Sequence, residues 1–401
     1  MDGLRRESGS RHKIVISEMT DDRYYFKKVT DKGVEDMKDH VLEEDLLYIA
    51  NSTLPYEQLY NSTVLVTGAT GLVGSMAVKA LLMMNRAKHA DIRVLALVRN
   101  QKKAEVMYED FDTSQLTYLI GDLMQPVTAA NYTLSDGSSV DDIKVDYIIH
   151  GASPTASKYF VSCPVETIMA AIDGTKHILD LAKEKHAKGV VYLSSMEAFG
   201  APDPSLPYVK EEDLGYIDIH NPRSCYSEGK RMCECLCSSY ASEYDVPVRI
   251  ARLSQTFGAG VPYEEGRVFA QFAKSAMHGQ DIVLHTEGKS VGNYCYTRDS
   301  VMGILLLLVR GEAGQAYTVS NPESNITIAG MAQMVADRIA DGKIKLIFDI
   351  PESAMTYGYA PDVNLRLNAD KLMALGWKPE IGLEESYRRM MKSMLATMPE
   401  A

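Results

Sequence analysis
The chain has 401 residues, 46% of them hydrophobic, and a formal net charge of −12. With a mean hydropathy of −0.15 it reads as an ordinary globular protein long enough for one large or two modest domains. The acidic balance excludes nucleic acid as the main partner, since phosphate binding wants a basic face. No apolar run of signal-peptide length opens the sequence and none approaches the roughly 18 residues of a membrane span, so a cytoplasmic protein without a membrane partner is expected.

Residues 1–60 read as an N-terminal extension. Stretches 13–17 and 24–29 suit short strands, and Val34 to Ala50 has helical spacing with acidic residues outward. A docking arm on the main domain or a dimer contact fits better than a separate catalytic module. From Thr63 the pattern alternates. Strands are expected at 63–67, 93–98, 117–120, 145–150, 189–194 and 248–253, with helices at 72–86, near 165–186 and near 226–244. Such alternation predicts an α/β fold, a doubly wound parallel sheet covered on both faces, over residues 61–255. After about 255 the pattern is less regular. Helices are expected at Phe269–His278, Ile326–Ala340 and Leu383–Met394, with a strand at Ile344–Phe348. Residues 256–401 are therefore expected to form mainly a smaller C-terminal α/β substrate lobe, interleaved with the first domain.

Six cysteines occupy 163, 225, 233, 235, 237 and 295. On a helix Cys233 and Cys237 share a face while Cys235 points elsewhere, and no histidine or C-x-x-C pair completes a metal set. No metal site is expected, and buried reduced thiols are the plainer account.

Candidate chemistry collects at the strand ends. An apolar strand runs into Gly68, Gly71 and Gly74, so Gly68, Thr70, Gly71, Leu72, Val73 and Gly74 can bring backbone N–H groups close to a pyrophosphate at a helix start. At the end of the second strand stand Arg99 and Asn100, where an acidic residue would bind the ribose 2′-OH of NAD. Arg99, backed by Lys102 and Lys103, suits the 2′-phosphate of NADP instead. Asp122 and Leu123 follow the third strand, and Gly151, Ala152 and Ser153 follow the fourth. Both groups face the expected cofactor crevice. Tyr226 and Lys230 lie four apart on a helix, so phenol and ammonium face the same way. A nearby cation and a positive nicotinamide ring would favour the phenolate, making Tyr226 a base for a sugar hydroxyl. Ser195, just after the fifth strand, supplies a hydroxyl to bridge substrate and phenol.

Together with Arg252–Gly258, Tyr294–Asp299 and Lys371–Pro379, these motifs make residues 63–394 resemble the extended short-chain dehydrogenases/reductases, specifically their nucleotide-sugar epimerases, dehydratases and decarboxylases. The resemblance implies a Rossmann domain, a sugar-nucleotide lobe, a homodimer, and Lys230 on the nicotinamide ribose. Within the family, His150–Ser157, Cys163–Thr167 and Tyr226–Arg231 look most like UDP-glucuronate decarboxylases, with Glu197 on their substrate-facing glutamate. That likeness implies NAD and substrate contacts from Ser153, Thr155, Glu197 and Gln255. Gln255 replaces the usual asparagine, and Gly292 stands where the family has an arginine, so Arg267 or Arg298 would have to supply the cation. A 4-epimerase stays open, whereas a 4,6-dehydratase is weakened by Met196-Glu197 in place of Asp-Glu. A net NADPH-dependent keto-sugar reductase, which Arg99 supports, and a non-catalytic NADP-sensing protein complete the alternatives.

Overall fold
The computed structural model describes residues 14–16, 26–30, 33–34, 37–155, 157–350 and 363–398. Its centre is an eight-stranded sheet built from β1 (Thr63–Thr67), β2 (Arg93–Val98), β3 (Leu116–Ile120), β4 (Thr133–Leu134), β5 (Tyr147–His150), β6 (Gly189–Ser195), β7 (Val248–Leu253) and β8 (Ala316–Val319), in the order β8-β7-β6-β5-β1-β2-β3-β4. All pairs are parallel except β3–β4, where a two-residue antiparallel strand blunts the edge. Every residue of β1 is buried, as expected of a parallel strand covered on both faces. Strand order reverses between β1 and β5, which opens the crevice above their C-terminal ends.

Two helices pack side by side on one face, α3 (Pro164–Glu184) and α4 (Cys225–Tyr244). The other face is covered by α2 (Leu72–Lys88) and α5 (Thr297–Arg310). The alternating pattern did not reveal α5, because Leu305, Leu306, Leu307 and Leu308 are all fully buried and leave no polar stripe to read. Each contributes about 1.5–3 kcal/mol by its burial. The chain leaves the sheet after β7, returns with α5 and β8, and then leaves again.

The C-terminal lobe carries strands Gln255–Phe257, Val291–Tyr296 and Asn321–Thr327, a parallel pair Ile282–Leu284 with Leu346–Phe348, and helix Val268–His278. The expected helix at 326–340 is Ile328–Met334 continued by a wider turn, Val335–Ile339. Its closing helix, α6 (Leu383–Thr397), also touches the N-terminal extension. There, Ile14–Ile16 and Phe26–Thr30 pair antiparallel, and α1 (His40–Ala50) packs on α2, α5 and α6. Leu46 and Ile49 of α1 are fully buried in the main core, so this helix is a docked arm. Among the described residues no helix is long and apolar enough to cross a membrane.

Candidate active site
Gly68 has φ +70°, and a Cβ there would stand 2.8 Å from the carbonyl carbon of Gly151. One on Gly74 would stand 2.2 Å from the Gly68 carbonyl oxygen. Neither position tolerates a side chain, and the turn is drawn tight against the end of β5. Gly71 begins α2 with no side-chain cap, so the first-turn N–H groups of Leu72 and Val73 beside the half-buried Thr70 meet no capping side chain. That cradle fits a pyrophosphate.

Behind it runs a hydrogen-bond chain with a fixed direction. Gly151 and Ala152 each donate a backbone N–H to Thr67 Oγ1 at 3.1 Å, which turns the Thr67 proton toward His150 Nδ1, 2.7 Å away. Nδ1 then accepts, so Nε2–H donates to Thr175 Oγ1 at 3.2 Å. Thr175 donates to Cys233 Sγ at 3.4 Å, and Cys233 donates to the Ala171 carbonyl at 3.2 Å. Burial, aided by the Lys230 charge, pulls His150 down to about 3 and keeps it neutral. Thr67 opens the glycine-turn motif and Cys233 the cysteine group, but nothing in their spacing links them to His150 or Thr175.

Other expected cofactor residues divide by position. Arg99 is exposed at the end of β2, and Asn100 caps the next short helix by accepting from Lys103 N at 3.1 Å. Asp122 is exposed and accepts from Met124 N at 3.0 Å. Leu123 packs its side chain in the core and offers its carbonyl to His177. Ser153 is half-buried beside the turn, and Thr155 is exposed.

The catalytic candidates converge. Ser195 stands beside the Tyr226 phenol, where its hydroxyl favours the phenolate, and accepts from Glu197 N at 3.2 Å. Lys230 is buried, donates to the Leu193 carbonyl at 2.7 Å, and holds its ammonium 5.7 Å from the Tyr226 ring centroid. Burial lowers Lys230 to about 8. The phenol moves against expectation, pushed up to about 12. Burial dominates and the Glu197 charge adds to it, outweighing the Ser195 hydroxyl and the cations Arg223 and Arg267. Glu197 is held by Arg223 Nη1 and Ser227 Oγ, both at 3.2 Å from Oε2. Behind Ser195, the buried Glu234 carboxylate accepts from Ser194 Oγ and takes a forked pair from Arg252, which pins the end of β6 to α4. Cys233 and Cys237 are buried while Cys235 is exposed, as their helical spacing predicts.

In the lobe, Gln255 pairs with Tyr294 in register, directly after β7. Arg267 is paired to Glu265 at 2.7 Å, yet its charge reaches Tyr226. Arg298 is a correction. Its guanidinium is buried between Asp299 and Glu380, both at 3.0 Å, and stacks 4.0 Å from the Tyr48 ring of α1, so it braces the docked arm and is committed there.

A glycine-turn α/β sheet with serine, tyrosine and lysine converging at its strand ends defines a dinucleotide-binding protein of the short-chain type. The chain belongs to the NAD dependent epimerase/dehydratase family, whose model matches residues 64–321. It is 28% identical over 331 residues to UDP-glucuronic acid decarboxylase 6 of Arabidopsis thaliana, covering 82% of this chain and 88% of that protein. Among solved structures it is similar to UDP-glucose 4-epimerase of Thermotoga maritima with UDP-glucose, at TM-score 0.67 and 18% identity, covering 84% of this chain and 99% of that one. The dTDP-glucose 4,6-dehydratase of Bacillus anthracis in complex with NAD is similar at TM-score 0.64 and 17% identity, with 84% and 97% covered.

Proposed function
We propose that the protein remodels a nucleotide sugar through transient oxidation at C4, with decarboxylation of a UDP-glucuronate-like substrate as the favoured outcome. The observation that carries this reading is the convergence of Ser195, Tyr226 and Lys230 with Glu197 held across from the phenol. A bound nicotinamide would take a hydride from C4 and return it. The cradle at Gly68–Gly74 and the strand-end residues Gly151 and Ala152 fit that cofactor. Tyr226 accepts the proton of the C4 hydroxyl, Ser195 holds the same oxygen, and Lys230 orients the ribose while its charge favours the phenolate. Once C4 is a ketone, a β-keto acid loses CO₂ without a second acid, so Met196-Glu197 suffices. Expelling a C6 hydroxyl would call for the missing acid. Relatives named as UDP-glucuronic acid decarboxylases support this choice. With glycine at 292, Arg267 is our candidate for the substrate carboxylate or phosphate.

The test is incubation with UDP-glucuronate and a panel of UDP-, GDP-, CDP- and dTDP-sugars, read by mass spectrometry for loss of CO₂, loss of water or an isomeric product. No product from any of them sinks the proposal. Arg99 favours a second reading, net reduction of a keto-sugar by NADPH. Stoichiometric NADPH oxidation would establish it, and turnover without net change in reduced nicotinamide would dismiss it. In the same test, Arg99→Ala should weaken NADP more than NAD. We extend the reading to a cytoplasmic homodimer, checked by light scattering and by localisation of the tagged chain.

A further inference from the structure
We propose that Arg223 is a positioning residue for Tyr226, holding Phe160 flat against the phenol ring and neutralising the Glu197 carboxylate beside it. Arg223 lies in the short turn Pro222–Ser224 that leads into α4, and Asn221 caps that turn by accepting from Arg223 N at 3.0 Å. Its guanidinium carbon stands 4.9 Å from the Phe160 ring centroid. The Phe160 ring in turn stacks on Tyr226 at 4.4 Å and 14°. Phe160 is 1% exposed, and its carbonyl accepts from Cys225 Sγ at 3.4 Å, so the middle layer is fixed from two sides. The stack therefore runs cation, ring, ring, and ends on the proton acceptor.

The other edge of the guanidinium faces Glu197 at 3.2 Å. A carboxylate beside a phenol opposes its ionisation, and a cation paired to that carboxylate cancels the opposition. Of the charged groups whose fields reach Tyr226, Glu197 opposes ionisation while Arg223 and Arg267 favour it. Lys230 adds its ammonium from the same helix. Arg223 touches both Phe160 and Glu197. Only a planar fork can stack on a ring and hydrogen-bond at its edge together.

This inference rests on Tyr226 as the proton acceptor. The test is fluorine NMR of protein labelled with 3-fluorotyrosine and saturated with NAD⁺, the Tyr226 resonance being assigned by its loss in Tyr226→Phe. Fluorination makes phenols more acidic and brings the titration into a range the fold tolerates. Arg223→Gln should raise the Tyr226 midpoint by about one pH unit. Glu197→Gln added to Arg223→Gln should bring it back toward wild type, and Arg223→Lys, which keeps the charge, should fall between. An unchanged midpoint in folded Arg223→Gln overturns the proposal. Should Arg223→Gln fail to fold, Glu197→Gln alone decides, since its midpoint must drop below wild type if that carboxylate acts on the phenol. The titration uses no substrate. A panel of sugar nucleotides that gives no product would thus count against the proposed reaction and leave this outcome standing.

Discussion
The molecule contains two clusters that each set a tyrosine beside a carboxylate and an arginine, and they hold the tyrosine differently. At the proposed site Tyr226 lies near Glu197 and Arg223, with the Ser195 hydroxyl beside it. In the seam between arm and lobe, Tyr296 donates directly to Asp45 Oδ2 at 2.6 Å, while Arg389 bonds to Asp45 Oδ1 at 2.7 Å and to the Tyr296 oxygen at 3.1 Å. Asp45 is fully buried, whereas the Glu197 side chain is 30% exposed. A phenol that gives its proton to a sealed carboxylate is locked as a neutral donor, and burial with the Asp45 charge drives Tyr296 far above its ordinary range. At Tyr226 the neighbouring carboxylate is instead paired to Arg223 and partly solvated.

The sharpest way to break this contrast is to remove each hydroxyl. Tyr226→Phe should lower turnover roughly a thousandfold in steady-state assays of any accepted sugar nucleotide, with little change in melting temperature. Tyr296→Phe should do the reverse, leaving turnover nearly intact and costing about 2 kcal/mol in denaturant melts. Asp45→Ala should cost about 3–5 kcal/mol at neutral pH by chemical denaturation, since it strands Arg389 and frees α1. Glutamine at 197 should cost under about 1 kcal/mol, the pair there being partly solvated.

Acidity separates the clusters further. Burial raises Asp45 from 3.8 to about 6, with Arg389 and Tyr296 pulling it back. The folded state therefore holds this proton more tightly than the unfolded chain. The stability it contributes is full below about pH 4 and is lost as pH rises through about 6. The gap in melting temperature between wild type and Asp45→Asn should narrow over that window. A gap that stays constant would show that Asp45 does not titrate there.

The sheet was readable because each element announces itself locally: apolar runs, a glycine turn, a helical repeat. The pairing of Tyr226 with Lys230 and the place of Ser195 were readable for the same reason, as both follow from spacing along one element or from a strand end. The seam was not. Asp45 and Tyr296 lie 251 positions apart, and Arg389 lies 344 from Asp45, so no local pattern connects them. Arg298 shows the cost of reading a cation by motif: it stands beside Tyr294–Tyr296 in sequence, but its side chain turns toward α1. Helix α5 escaped notice because complete burial erases the periodicity that marks a surface helix. Arg223 escaped because its side chain meets Phe160 and Glu197, which come from two segments distant in sequence.

The chain leaves the sheet after Leu253, comes back for Thr297–Val319 and leaves again, and Leu372 and Trp377 pack back into the main core, so among the described residues the lobe is sewn to the sheet at several points. A lobe on one thread can swing away as a flap, and a single nick would release it. Here a nick within 258–267 would leave the lobe attached through its other connections. Limited proteolysis within 258–267 should therefore give fragments that remain associated.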